Sequence, residues 1–235
     1  AEPYLGTDSC GISVCSDRQM ETAIWFCRKN HCQLSMHAMG TRAIARVVDR
    51  AAREEKWNDG PEPYVRVEHI TDPAKDSVRK AAEKGIGFVT QPIFMYAEIE
   101  SYLNNLGQEW MKRCYPVRDL LDSGVKLCFS TDAPATSWAV PSDPFPNIKG
   151  AVTRRAWDGT DCGKDQAVDV ETAVILYTKE SADMVGFDRL GQLREGYKAD
   201  FLVLDRDILE IPAEEIDQVQ VDQTYIGGRC VYSRS

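Results

Sequence analysis

The chain has 235 residues, of which 43% are hydrophobic and 28% are charged, and this composition predicts a packed globular protein rather than a disordered one. Its formal net charge of -9 disfavours a nucleic-acid partner, because a phosphate backbone is bound by clustered Lys and Arg side chains. No stretch approaches the roughly 18 consecutive apolar residues of a membrane span, and the first residues lack a signal-peptide pattern. We therefore expect a cytoplasmic protein with no membrane partner.

Predicted helices and strands alternate over the first 130 residues. Ser16, with Gln19 three residues later, forms a capping-box pattern that opens a helix to about Asn30. Further helices are predicted at residues 41–57, from Asp72-Pro73 onward, at 98–106 and at 116–122. Strands are predicted at residues 33–37, 64–69, 86–91 and 125–130. Strands that follow helices and are apolar on both faces indicate a parallel sheet covered by helices.

The rest of the chain changes character near residue 186. Helices are predicted at residues 169–179 and 179–186, after a loop and short helix at residues 141–155. The segments ADFLVLD, VDQTYIGG and RCVYS then alternate apolar and polar residues between turns, which is typical of a small β-sandwich. We therefore divide the chain into residues 1–186 and residues 187–235.

The cysteines do not indicate a disulfide framework or a cysteine-based zinc site. All eight are scattered along the chain without a CxxC pair, and we expect reduced thiols.

Two histidines and one aspartate occupy equivalent places in the predicted repeat. His37 ends the first strand, His69 ends the second, and Asp132 follows the fourth. Carboxyl ends of parallel strands lie at the same edge of a sheet, and in a (β/α) barrel the catalytic groups gather there. Two imidazoles and a carboxylate are suitable ligands for a hydrolytic zinc ion.

A structural interpretation competes with this one. A single histidine at a strand end is more often a residue that hydrogen-bonds a loop than a metal ligand. The chain has only three histidines, and His31 serves as an internal control because it precedes its strand. We expect His31 to lie some 20 Å from His37 as an ordinary surface or helix-end residue.

The loop after Asp132 offers weaker candidates for substrate contact. Trp138, Phe145, Arg154 and Arg155 lie in or beside residues 141–155, where substrate contacts arise in barrel enzymes. Aromatic side chains near prolines more often pack a loop, so no role is assigned to these residues.

Five segments resemble the amidohydrolase superfamily, and in particular its amidohydrolase-3 type, which includes N-substituted formamide deformylases. They are SMHAMGTRAI, VRVEHI, VTQP, FSTDAP and GQLREGYKADFLVLD. The resemblance implies a metal-dependent hydrolase that cleaves a non-peptide carbon–nitrogen bond of a small-molecule substrate with metal-activated water. It implies one or two divalent ions, zinc by preference, in the complete enzyme. By the same resemblance His37 and His69 are metal ligands from barrel strands five and six, and Asp132 is both ligand and general base from strand eight.

The chain departs from the family pattern in what it lacks. It contains no His-x-His pair, and the lysine of the family's fourth strand would precede Ala1. The fold class expected is therefore α/β, the C-terminal half of a (β/α)8 TIM-type barrel with part of a small β-sandwich. The alternative is a non-catalytic binding or interaction module on the same scaffold, without the full set of ligands.

A half-barrel makes a prediction about association. Its two edge strands and an inner face of Val, Ile, Leu and Phe side chains would be uncovered. We expect the chain to associate with the missing N-terminal half or with itself, and expect little metal binding or turnover from the chain alone.

The family also tends to carry an aspartate where this chain has Thr41, which concerns a contact behind the ligands.

Overall fold

A computed structural model describes residues 3–134 and 142–234. The chain forms an α/β unit with a parallel sheet, followed by a smaller antiparallel sheet, which confirms the predicted α/β class. The helices are α1 Asp17–Lys29, α2 Thr41–Ala51, α3 Lys75–Lys84, α4 Pro92–Ala97, α5 Ile99–Leu106, α6 Gln108–Arg113, α7 Val117–Asp122, α8 Phe145–Thr153, α9 Val170–Tyr177 and α10 Lys179–Met184. The strands are β1 Leu34–His37, β2 Val65–Glu68, β3 Gly87–Thr90, β4 Lys126–Phe129, β5 Phe201–Leu204, β6 Val221–Ile226 and β7 Arg229–Ser233.

The parallel sheet has the strand order β1-β2-β3-β4, so each strand pairs with its neighbour in sequence. The register aligns His37 with Glu68, and Glu68 with Val89. Because side chains alternate between the two faces of a strand, Val67 and Phe88 share the face that packs against the helices. The main core of the chain lies on this face, and all four strands end at the same edge.

The prediction of an exposed apolar surface on the opposite face of the sheet is wrong. The face carries a largely polar set of residues: Ser35, His37, Arg66, Glu68, Gly87, Val89, Lys126 and Cys128. Arg66 and Glu68 form an ion pair at 2.8 Å, and the hydroxyl of Ser35 donates to Glu68. Val89 and Cys128 are buried together with Met184 of α10. The large apolar side chains instead face the helices, because the register assigns them to the other set of alternating positions.

The first helix and the last ones follow the sequence prediction closely, whereas others differ. The capping box at Ser16 is confirmed, with the hydroxyl of Ser16 accepting from the backbone N–H of Gln19. Asp169 likewise caps α9 by accepting from the N–H of Thr172. The prediction that α2 runs to Trp57 is wrong: the helix ends at Ala51, because the indole N–H of Trp57 donates to the carbonyl of Cys32.

Helix α3 begins at Lys75, after Pro73, with Ala74 as its N-cap. Helices α4 and α6 were not predicted. Both have only six residues, and α4 begins at Pro92, so neither is long enough to show a repeating apolar pattern.

The C-terminal segment forms a three-stranded antiparallel sheet in the order β5-β6-β7. A 3-10 helix at Ala213–Gln218 separates β5 from β6 and packs against α8, with Ile216 in the main core. Asp217 accepts hydrogen bonds from Tyr96 and Lys149. The chain therefore returns to the first unit between two strands of the second, while the division at residue 186 stays a prediction.

The structure agrees with two of the simpler expectations. All eight cysteines are free. His31 lies in a turn after α1 with an exposed side chain, 3.8 Å from the exposed carboxylate of Asp59. In the part of the chain that the structure describes, no helix has the length and apolar character needed to span a membrane.

Candidate metal centre

The two predicted histidines meet at the carboxyl edge of the sheet. Their ring centroids lie 4.4 Å apart with an angle of 63° between the ring planes. His37 is the last residue of β1, and His69 follows β2 in the left-handed conformation, with φ 73°. This conformation is uncommon for a residue other than glycine, and such backbone is found more often at functional sites. It ends the strand at Glu68 and turns the imidazole of His69 toward its neighbour.

Asp132 reaches the same carboxyl edge from β4, the strand at the other end of the sheet from β1. It follows β4 in a left-handed conformation, with φ 57°, and its side chain is 37% exposed. Oδ2 of Asp132 lies 3.9 Å from Nε2 of His69. The structure therefore brings His37 next to His69 and His69 next to Asp132.

Burial and charge both act on His69. Its side chain is 8% exposed, and this burial lowers the pKa of the imidazole, to which the nearby His37 also contributes. Asp132 and Glu68 act in the opposite direction and favour the protonated ring. The net shift favours the neutral imidazole, which is the form that binds a metal ion.

The loops that follow the two histidines are tied to each other. Thr71 is 1% exposed, and its hydroxyl accepts a hydrogen bond of 2.8 Å from the backbone N–H of Gly40. The hydroxyl of Thr41 donates to the carboxylate of Asp72 at 3.1 Å. These two bonds join the residues just after His37 to those just after His69. Thr41 thus contacts the carboxylate of Asp72, in the loop after His69.

Two buried amide side chains at this edge were not assigned any role from the sequence. Gln91, directly after β3, donates from Nε2 to the hydroxyl of Ser130 at 2.9 Å. Asn147 of α8 donates to the carbonyl of Ser130 and accepts from the N–H of Ile93. Together they hold the side chain and the carbonyl of Ser130, two residues before Asp132. The sequence signal for Gln91 was a polar residue at a strand end immediately before a proline, in the quoted motif VTQP.

Phe94 of α4 was also missed and forms one wall beside the histidines. Its ring packs edge-on against His69, with centroids 5.7 Å apart, and it is half-buried. The weaker candidates from the following loop have other positions. Trp138 lies outside the described residues, Phe145 is buried in the main core, and Arg155 is exposed. Arg154 is fully buried and donates only to backbone carbonyls, so the structure gives it no substrate contact.

The donor atoms suit a divalent cation, although they do not form a complete coordination sphere. The 3.9 Å between His69 and Asp132 is too long for a hydrogen bond. It is within the span of two ligands that each lie about 2.0–2.2 Å from one zinc ion. Within residues 3–134 and 142–234, no three His, Cys, Asp or Glu side chains converge closely enough to hold a metal ion. The assignment of His37, His69 and Asp132 as ligands stays a prediction, and these residues fit a partial site.

Comparisons with known proteins agree on the relationship of this chain. A sequence model of the amidohydrolase family matches residues 1–232. The putative amidohydrolase YtcJ of Bacillus subtilis (strain 168) is 26% identical over 100% of this chain and 44% of its own length. The N-substituted formamide deformylase of Arthrobacter pascens is 30% identical over 86% of this chain and 37% of its own length. The chain therefore spans less than half the length of these curated relatives.

A solved structure is similar along most of the chain. An uncharacterised metal-dependent hydrolase from Pyrococcus horikoshii OT3 matches with a TM-score of 0.77 and 26% identity, over 91% of this chain and 42% of that protein. The similarity therefore extends from sequence to three-dimensional fold.

Proposed function

We propose, from the premise that this chain belongs to the amidohydrolase family, that it carries half of the catalytic centre of a metal-dependent hydrolase. The reaction we propose is hydrolysis of a carbon–nitrogen bond other than a peptide bond, in a small-molecule substrate. The observation that carries the proposal is that His37 lies beside His69, and His69 beside Asp132, at the carboxyl edge of the parallel sheet. The structural similarity to a metal-dependent hydrolase supports it.

In this proposal His37, His69 and Asp132 would hold a divalent ion, and their nitrogen and oxygen donors favour zinc. The chemistry it would supply is a nucleophile at neutral pH, because zinc lowers the pKa of a water molecule to about 7. Burial favours the neutral imidazole of His69, whose lone pair would then be available to the ion. The carboxylate of Asp132 accepts the proton of the attacking water and delivers it to the leaving nitrogen.

The substrate class follows from the kind of bond and from the neighbouring surface. An amide-like group is proposed because a relative with 30% identity is named as a deformylase of N-substituted formamides. Phe94 presents an aromatic edge next to His69, which suits an apolar substituent on the nitrogen.

Zinc binding by the purified chain tests the centre directly. We expect the 235-residue chain to bind zinc weakly and to lose it on dialysis, because two imidazoles and one carboxylate that do not converge form a weak site. His37→Ala should remove the residual binding, and His31→Ala, which changes an exposed histidine, should not. Equilibrium dialysis against a zinc-containing buffer measures the weak binding, and metal analysis after dialysis into zinc-free buffer gives the stoichiometry of zinc retained. One tightly held zinc per chain, lost in His37→Ala, would contradict the prediction of a weak site.

We also propose that the missing ligands come from a partner, either the N-terminal half of the barrel or a second copy of the chain. Strands β1 and β4 end the parallel sheet on its two sides and are available for further pairing. The polar inner face, with Arg66, Glu68 and Lys126, makes strand pairing the expected mode rather than apolar stacking. Light scattering with an intact-mass measurement should show a complex or an oligomer. A monodisperse monomer of these residues alone, with cooperative unfolding, would contradict this.

A further inference from the structure

Gln91 lies between the two sides of the candidate metal centre. It is 1% exposed and follows β3, the strand next to β2 and β4. Its amide Nε2 donates to the hydroxyl of Ser130, two residues before Asp132. Its position in the sheet also places it beside the segment that follows His69, since β2 and β3 are paired in parallel. Gln91 is therefore situated to act on both His69 and Ser130, in the segment that leads to Asp132.

Two buried polar atoms at this edge could be hydrogen-bond partners, because one is an acceptor and the other can carry a proton. Oε1 of Gln91 and Nδ1 of His69 are both fully buried, and neither makes a hydrogen bond. Burying a polar atom without a partner is destabilising, so such atoms are rare in a folded protein. A hydrogen bond between the two would satisfy both atoms at once.

We infer that Gln91 is a positioning residue whose Oε1 accepts the Nδ1–H of His69 and fixes the tautomer that leaves Nε2 free to face Asp132. The inference rests on the proposed function, because a free Nε2 matters only for a ring that binds a metal ion. Partners of this kind orient ligating histidines in metal sites, and removing them typically weakens metal binding by about 10–100-fold.

The opposite orientation of the Gln91 amide makes a different prediction. With oxygen and nitrogen exchanged, the amide would donate to Nδ1 of His69 and leave the proton on Nε2. That proton would point at the carboxylate of Asp132, yet the separation of 3.9 Å is too long for the strong hydrogen bond expected between them. The geometry therefore favours the orientation in which the oxygen of Gln91 faces His69.

The tautomer of His69 can be measured in the metal-free chain. Long-range proton–nitrogen correlation spectra at about pH 8, where imidazoles are neutral, distinguish Nδ1–H from Nε2–H. The chain has only three histidines, so His31→Ala and His37→Ala assign the three rings. We expect His69 to be mainly the Nδ1–H tautomer, with the exposed His31 as the reference for a ring without an imposed tautomer. A wild-type His69 ring that is mainly Nε2–H overturns the inference, whatever the variants do.

Three variants then test whether Gln91 is the cause. Gln91→Leu removes the acceptor at similar volume and should return the His69 ring to the spectrum of His31. Gln91→Glu keeps an oxygen acceptor and should keep the Nδ1–H tautomer, even if Gln91→Leu does not fold. Gln108→Leu is the matched control, because Gln108 is an exposed glutamine whose amide donates to the carbonyl of Asp161. An unchanged His69 spectrum in Gln91→Leu overturns the inference.

Zinc titration of the same samples separates this inference from the proposed function. The dissociation constant for Zn²⁺ should rise by about 10-fold or more in Gln91→Leu and stay unchanged in Gln108→Leu. If the wild type binds Zn²⁺ and Gln91→Leu binds it equally well, the role of Gln91 is refuted and the metal centre stands. If the wild type binds no Zn²⁺ while its tautomer depends on Gln91, the metal centre is refuted and the pairing of Gln91 with His69 stands.

Discussion

Asp132→Asn is expected to lower turnover by about 10² or more while the fold is retained, because the amide cannot accept the proton of the attacking water. The substitution changes charge with almost no change in shape. Asp132 adopts φ 57°, and asparagine is among the few residues that tolerate this left-handed backbone. With its side chain 37% exposed, the amide can be hydrated without a large loss of stability. The loss should therefore be chemical rather than structural.

The measurement is steady-state hydrolysis of an N-substituted formamide by a preparation with measurable turnover, with circular dichroism as the check on folding. Both kcat and kcat/KM should fall by a similar factor, because the lost interaction acts in the transition state. Asp188→Asn is the control, since Asp188 is an exposed aspartate paired with its neighbour Arg189. Nearly full turnover in Asp132→Asn would remove this carboxylate from the mechanism, and loss of folding would favour a structural role.

The parts of the fold that the sequence predicted well are those with a strong local pattern. The four parallel strands are short apolar runs bounded by turns, and the structure places each within one or two residues of the prediction. The capping box at Ser16 and the cap at Asp169 depend only on contacts within one helical turn. Such features are visible in sequence because their partners are near in the chain.

The errors arise where distant contacts decide the local structure. The charged residues after Ala51 favour a helix by composition, yet the helix ends there. The indole N–H of Trp57 instead donates to the carbonyl of Cys32, and its ring packs edge-on against Tyr64. The apolar inner face was predicted wrongly because alternation alone does not say which set of positions faces the helices. Contacts between loops, such as that of Thr71 with Gly40, join residues about 30 positions apart and leave no local signal.

The candidate site shows the same division. The sequence predicted that His37, His69 and Asp132 share one edge of the sheet, because His37 ends a recognisable strand and the other two follow one. Their role as metal ligands stays a prediction. Gln91 and Asn147 were not predicted, because their roles depend on what lies across the sheet edge from them. The orientation of His69 also required the structure, because the neighbouring residues in the sequence do not predict its left-handed backbone.

Arg154→Leu is expected to destabilise the chain by about 3–5 kcal/mol, the largest effect on stability that we predict for a single substitution. Arg154 is fully buried at the C-terminal end of α8. Its guanidinium donates to four backbone carbonyls from two separate segments, those of Cys114, Tyr115, Cys162 and Gly163. Leucine supplies no donor, so the carbonyls would stay buried without partners or admit water.

The comparison of two adjacent arginines makes this prediction specific. Arg155 is exposed, with one long contact of 3.5 Å from its guanidinium to the carbonyl of Gly159, so Arg155→Leu should change stability by no more than about 0.5 kcal/mol. Arg154→Lys should recover only part of the loss, because an ammonium group lacks the planar fork that reaches several carbonyls at once. Chemical denaturation of the three variants gives the free energies of unfolding. Equal stability of Arg154→Leu and Arg155→Leu would contradict the structural role.

The effect of Arg154 should extend to the metal centre through the backbone. Arg154 donates to the carbonyl of Tyr115, and the N–H of Tyr115 donates at 2.7 Å to the carbonyl of Thr71, two residues after His69. Thr71 in turn holds the loop after His37 by accepting from Gly40. Loss of the buried guanidinium therefore loosens the segment that orients both histidines. In the absence of denaturant, we expect folded Arg154→Leu to bind zinc more weakly than Arg155→Leu, although neither arginine contacts the site.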